Sequence, residues 1–164
     1  MKERPKIELK QSKKELIFEI LSWVTLVLLW GFAVFAYYHT LDTIASHSVL
    51  DQSNNIDYSA MVFVFPVLGL LLYLGLTIIC RYPNKFNYPT AITEDNAKSK
   101  YEIATTMIRY LKLIILLFFF LFNFFMYYDT DYSFAYIEKW LVVLFLLMVF
   151  IPLFYFVNKL MKKE

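Results

Sequence analysis

The chain has 164 residues, of which 60% are hydrophobic and 20% aromatic, and a formal net charge of +2. A soluble domain of this size is closer to half apolar, so the composition argues against an ordinary water-exposed fold. One cysteine, Cys80, excludes an internal disulfide, and no basic surplus or motif points to nucleic acid.

Taken in order, residues 1–15 form a charged tail, expected in the cytoplasm. Ser12 is placed to cap a helix starting at Lys13, with Glu15 at the third helical position as in a capping box. The first membrane span is read at 20–38. It exceeds the apolar stretch of a signal peptide, so it is expected to stay in the chain. Glu19 lies one turn inside the boundary, where the plain expectation is an interfacial carboxylate beside Lys13 or Lys14. An outer loop at 39–59 holds both histidines. Asp42 and His47 are its candidate contacts, although the spacing of its histidines and acids matches no strong zinc pattern.

The second span is read at 60–80. Its roughly 20 residues reach about 30 Å at 1.5 Å per residue, the thickness of a hydrocarbon core. Pro66 frees a carbonyl that a neighbouring group must satisfy, and Gly69 and Gly75 offer close helix contacts. A cytoplasmic connection follows at 81–107. It opens with Arg81, Tyr82 and Pro83 and continues through Phe86, Asn87, Tyr88 and Pro89. The prolines end the helix and force extended backbone. Two readings of this stretch stay open: an interfacial turn with aromatic anchors, or a site for a partner or a lipid headgroup.

Thr93 is the expected N-cap of the next helix, with Glu94 and Asp95 opposing its dipole. Ala97, Tyr101, Ala104 and Ile108 then share one face. This amphipathic helix is expected to run into the third span, read at 108–128, with Lys112 snorkelling toward the boundary. Asn123 is expected to hydrogen-bond across a helix contact. A second outer loop is read at 129–139 and the fourth span at 140–157, with Pro152 placed to kink it.

Counting Arg109 and Lys112, at the start of the third span, with the connection before it, Lys and Arg are distributed from the N-terminus as six, none, six, one and three. By the positive-inside rule both termini lie in the cytoplasm. The expected fold class is therefore an all-α membrane protein. It is a four-transmembrane helical bundle whose third span is extended by a cytoplasmic amphipathic helix.

Several stretches also carry a resemblance. Arg4-Pro5-Lys6-Ile7, Pro66 to Leu76, Arg81-Tyr82-Pro83, Phe86-Asn87-Tyr88-Pro89 and Ile92 to Ala97 together resemble the bacterial membrane-protein domain catalogued as DUF1648. Leu41, Asp42, Ile44 and His47 are similar to that family's outer-loop signature, whose prolines, glycines and lysine are absent here. The resemblance implies a multi-span protein of a bacterial inner membrane. Larger proteins with this domain resemble the immunity protein against the sporulation-delaying toxin, which implies self-protection or signalling.

No nucleophile–base spacing, glycine-rich phosphate loop or metal motif appears, so neither an enzyme nor a cofactor is expected. The leading expectation is a membrane interaction protein. Its partners are the lipid bilayer and a membrane or cytosolic protein, with self-association open. The alternative is an oligomeric channel or transporter component. The expected absence of buried ionisable residues weighs against ion coupling, and so against that alternative.

Overall fold

The computed structural model describes residues 4, 5, 7, 9–47, 60–128 and 134–162; for 41–47 and 134–138 it describes the backbone alone. Among the described residues the main helices are α1 (Lys13–His47), α2 (Val64–Cys80), α3 (Glu94–Tyr128) and α4 (Phe134–Met161), with a 3-10 turn at Pro83–Lys85. The described residues contain no strand. Three helical segments, Lys13–Thr40, Glu94–Tyr128 and Lys139–Met161, are long and apolar enough to cross a membrane. At 17 residues, α2 is as apolar but shorter.

The capping box forms as expected. The Ser12 amide donates to Glu15 Oε2 at 2.9 Å, and the Glu15 amide donates to Ser12 Oγ at 3.3 Å. The other end of α1 departs from the sequence reading. The helix continues to His47, so residues 39–47 of the expected outer loop are helical. No proline or glycine interrupts them, and apolarity marks where a span ends, not where a helix does. At α3 the Thr93 amide is taken by Asn96 Oδ1 at 2.9 Å, so the third helical residue closes this cap from its side chain. From there one continuous helix runs to Tyr128, as the amphipathic pattern predicts.

Register follows from contacts between elements. Glu19 meets Lys112, and His39 meets Tyr127, so α1 and α3 run parallel. Tyr73 meets Glu19 and Val62 meets Asn123, so α2 runs against both. Phe145 stacks on Phe118 and Phe156 lies by Tyr110, so α4 runs against α3. This up-down-up-down order gathers residues 4, 5, 7, 9–12, 81–100 and 158–162 at one end. Every described Lys and Arg except Lys139 lies toward that end.

The helix α3 is central. On α1 the buried residues Ser22, Leu26, Leu29, Ala33 and Ala36 repeat at spacings of four and three, giving one seam of mostly small side chains. On α2 the seam is Pro66, Gly69 and Tyr73. A Cβ at Gly69 would stand 3.1 Å from Leu29 Cδ2 and 3.2 Å from Leu116 Cδ2, so the missing side chain sets how closely α2 approaches. Gly75 has nothing within 4 Å and makes no such contact.

Two prolines, Pro66 in the first turn of α2 and Pro152 inside α4, are handled alike. Pro66 cannot donate to the carbonyl four residues before it, Val62, and Asn123 Nδ2 donates there at 3.0 Å. Pro152 likewise frees Met148, whose carbonyl accepts from Tyr110 Oη at 3.0 Å. Both donors come from α3. Asn123 thus bridges helices as expected, and the proline names its acceptor.

Candidate functional site

The charged end of the bundle is built in two layers. The inner layer is an ionic cluster between α1, α2 and α3. Lys112 is 1% exposed. Its Nζ donates to both Glu19 oxygens, at 2.7 and 2.8 Å, and to Thr77 Oγ1 at 3.1 Å. It also lies 4.2 Å from the centre of the Tyr73 ring. Tyr73 Oη donates to Glu19 at 2.6 Å. One turn outward, Glu15 pairs with Arg109 and accepts from Thr105 Oγ1 at 2.8 Å.

This arrangement corrects two expectations. Glu19 faces Lys112 rather than Lys13 or Lys14, and Lys112 is enclosed rather than snorkelling. The reason is geometric: α1 and α3 run parallel, so two opposite charges at the same distance from the charged end of the bundle meet at one depth. A buried ammonium is tolerated only when paired and hydrogen-bonded, and both conditions hold here.

The outer layer is a cap. Residues of the expected charged tail dock onto the connection and the start of α3. Arg4 Nη1 donates to the carbonyls of Asn84, at 3.3 Å, and Phe86, and its guanidinium lies 5.7 Å from the Tyr88 ring centre. Tyr101 Oη donates to the Pro5 carbonyl at 3.1 Å. Ile7 and Leu9 pack against the apolar cluster around Tyr88, Ala97 and Tyr101. Burial pushes the Tyr88 and Tyr101 phenols up from their usual range, so both remain donors at any physiological pH. Lys100, counted in the sequence only as a topological charge, is 2% exposed. Its Nζ donates to the carbonyls of Leu160, at 2.7 Å, and Lys162, at 2.6 Å, closing the C-terminus of α4.

The candidate residues of the connection divide. Pro83 and Tyr88 are buried, and Tyr88 Oη donates to the Pro83 carbonyl at 3.0 Å, so these two hold the turn together. Phe86 is half-buried and stacks on Tyr88, with ring centres 6.1 Å apart. Arg81, Asn87 and Pro89 are exposed. The fold therefore gives the anchoring role and the exposed role to different members of one motif. Asp42 and His47 lie on the last turns of α1, and their side chains fall outside the described residues.

Between the two layers opens a cleft of about 640 Å³, lined by Lys10, Glu15, Cys80, Arg81, Pro83 and Arg109, among others. A second cleft of about 520 Å³ shares Ile7, Arg81 and Pro83 with it and adds Lys85. Sequence reasoning singled out Arg81 and Pro83. It missed Lys10 and Arg109, since nothing in a linear pattern shows the tail folding back. Among the described residues no cluster of His, Cys, Asp and Glu could hold a metal ion.

No protein-family model, no curated protein and no solved structure matches the chain. Its function must be argued from this geometry.

Proposed function

We propose that the chain is a four-span protein of a bacterial cytoplasmic membrane, with both termini in the cytosol. We further propose that it acts without enzymatic chemistry, by binding at its cytoplasmic end. The observation that carries this reading is the collection of cationic side chains around an open cleft at one end of an otherwise apolar bundle. Apolar residues elsewhere face outward: Val27 is 62% exposed, Leu71 61%, Ile151 63% and Phe154 67%. Exposed apolar surface on this scale fits lipid and not water. The positive-inside rule then directs the cationic end to the cytosol. The resemblance to the DUF1648 domain adds an immunity-like or signalling role by analogy.

The alternative, a channel or transporter component, finds a buried ion pair after all. That pair sits at one end. Toward the far end the buried polar side chains among the described residues are Ser22, Thr25 and Asn123. The first two bond to their own helix, at 2.7 and 2.8 Å, and Asn123 to Val62. No ionisable chain crosses the described bundle, so the binding reading is preferred.

Two experiments test it. A tag fused after Glu164 is expected to resist protease added to intact cells and to be cut once the membrane is opened; cleavage in intact cells would invert every loop. A strain lacking the gene is expected to lose viability when challenged by toxin-producing relatives, and unchanged survival would remove the protective role.

A further inference from the structure

We infer that the cleft between Lys10, Arg81 and Arg109 is a binding site for a phosphate group carried by an anionic amphiphile. This deepens the reading above and rests on it for the location of the cleft at the membrane boundary.

The charge balance comes first. Among the described residues, Glu15 is the one acid lining either cleft. It already accepts from the Ser12 amide and Thr105 and pairs with Arg109. Among the described residues no ion pair engages Lys10, Arg81 or Lys85. Among the described residues, Lys10 and Arg81 thus face connected cavities with no carboxylate paired to them, and Lys85 beside them lies 5.0 Å from the Tyr82 ring centre.

The cations are also carried on anchored backbone. Arg81 closes α2: its amide donates to the Ile78 carbonyl and the following Tyr82 amide to the Ile79 carbonyl, each at 3.0 Å. Lys10 follows Leu9, which packs into the cap, and precedes the Ser12–Glu15 capping box. A guanidinium fork beside a flexible ammonium suits a tetrahedral oxyanion, with the Arg bonding two oxygens and the Lys supplying a point charge.

The remaining wall decides what carries the phosphate. Ile7, Leu9 and Pro83 line the same cleft. Ile78 and Ile79, 56% and 45% exposed, lead from Arg81 into the apolar surface of α2. A soluble phosphate needs no such wall. A phospholipid does: its headgroup meets the cations while its chains follow the isoleucines.

Native mass spectrometry of the intact protein tests this, with phosphatidylglycerol, phosphatidylcholine and inorganic phosphate as probes. The wild type is expected to carry phosphatidylglycerol about tenfold more than phosphatidylcholine, and the pair Lys10→Gln, Arg81→Gln to lose that preference. Arg81→Lys keeps the charge and is expected to retain most of it. The pair Lys98→Gln, Lys159→Gln removes equal charge at the same end and is expected to retain it all. All four replaced side chains are exposed, so unchanged melting without lipid certifies each fold. Displacement of the lipid by millimolar inorganic phosphate would keep the phosphate site and assign it to a soluble compound. Equal preference in every variant overturns the site, and displacement by a glutamate-rich peptide but not by phosphate overturns it in favour of a protein partner. Carbonate extraction of the same membranes separates the failures. Protein retained without preference sinks the phosphate site alone, whereas protein released by carbonate sinks the membrane reading.

Discussion

Replacing Lys112 by methionine is expected to destabilise the protein by about 3 kcal/mol, the low end for stranding one member of a buried ion pair. The low end applies because the Glu19 side chain keeps 20% exposure, which softens its loss. The single variant leaves the Glu19 carboxylate with Tyr73 and the more distant Arg109 Nε, at 3.7 Å. Changing both partners, Glu19→Leu with Lys112→Met, removes the stranded charge with its cause. The double variant is expected to recover to within about 1 kcal/mol of wild type, the residue being the lost bonds of Tyr73 and Thr77. Thermal unfolding of the four proteins gives the coupling. Additive losses would mean that the two charges do not depend on each other, and the three-helix junction would need another explanation.

The contents of that junction were legible in the sequence; its pairing was not. Glu19 and Lys112 stand out as single charges one turn inside spans that enter from the same side. What a linear pattern lacks is the rotation of each helix about its axis, which decides whether two charges at one depth face each other. The caps show the opposite case. Ser12 and Glu15 are three residues apart, so their reciprocal bonds need no knowledge of any other element, and the start of α1 follows from the sequence. The continuous α3 was equally readable, because its apolar stripe and its span share one period. The end of α1 was not, because a helix stops at a breaker or a competing contact and the sequence after residue 38 holds neither until past His47. The docking of the tail was not legible for a related reason. Charge marks 1–15 as polar, but Arg4, Ile7 and Leu9 find partners only in the folded connection 80 residues on. The cleft owes half its lining to that return, so the sequence could name Arg81 and Pro83 as candidates and not the cavity they face.

The handling of the prolines leads to the last expected result. Proline position fixes which carbonyl loses its donor, by counting back four residues, so Val62 and Met148 are determined by Pro66 and Pro152. Which side chain replaces the missing amide depends on the α3 register, and the structure supplies Asn123 and Tyr110. Asn123→Leu therefore leaves a carbonyl without a partner in an apolar contact, and is expected to cost about 2 kcal/mol in thermal unfolding. The same change in a Pro66→Ala background should cost about 0.5 kcal/mol, since the restored backbone amide at position 66 takes the Val62 carbonyl itself. A generic packing role for Asn123 predicts equal losses in both backgrounds, and that result would break the link between the proline and its donor. Were the link to hold for Tyr110→Phe against Pro152→Ala as well, the central helix would be serving its neighbours in two capacities. Its apolar seam would bring them close, and its two polar side chains would fix their register at the points where proline opens the backbone.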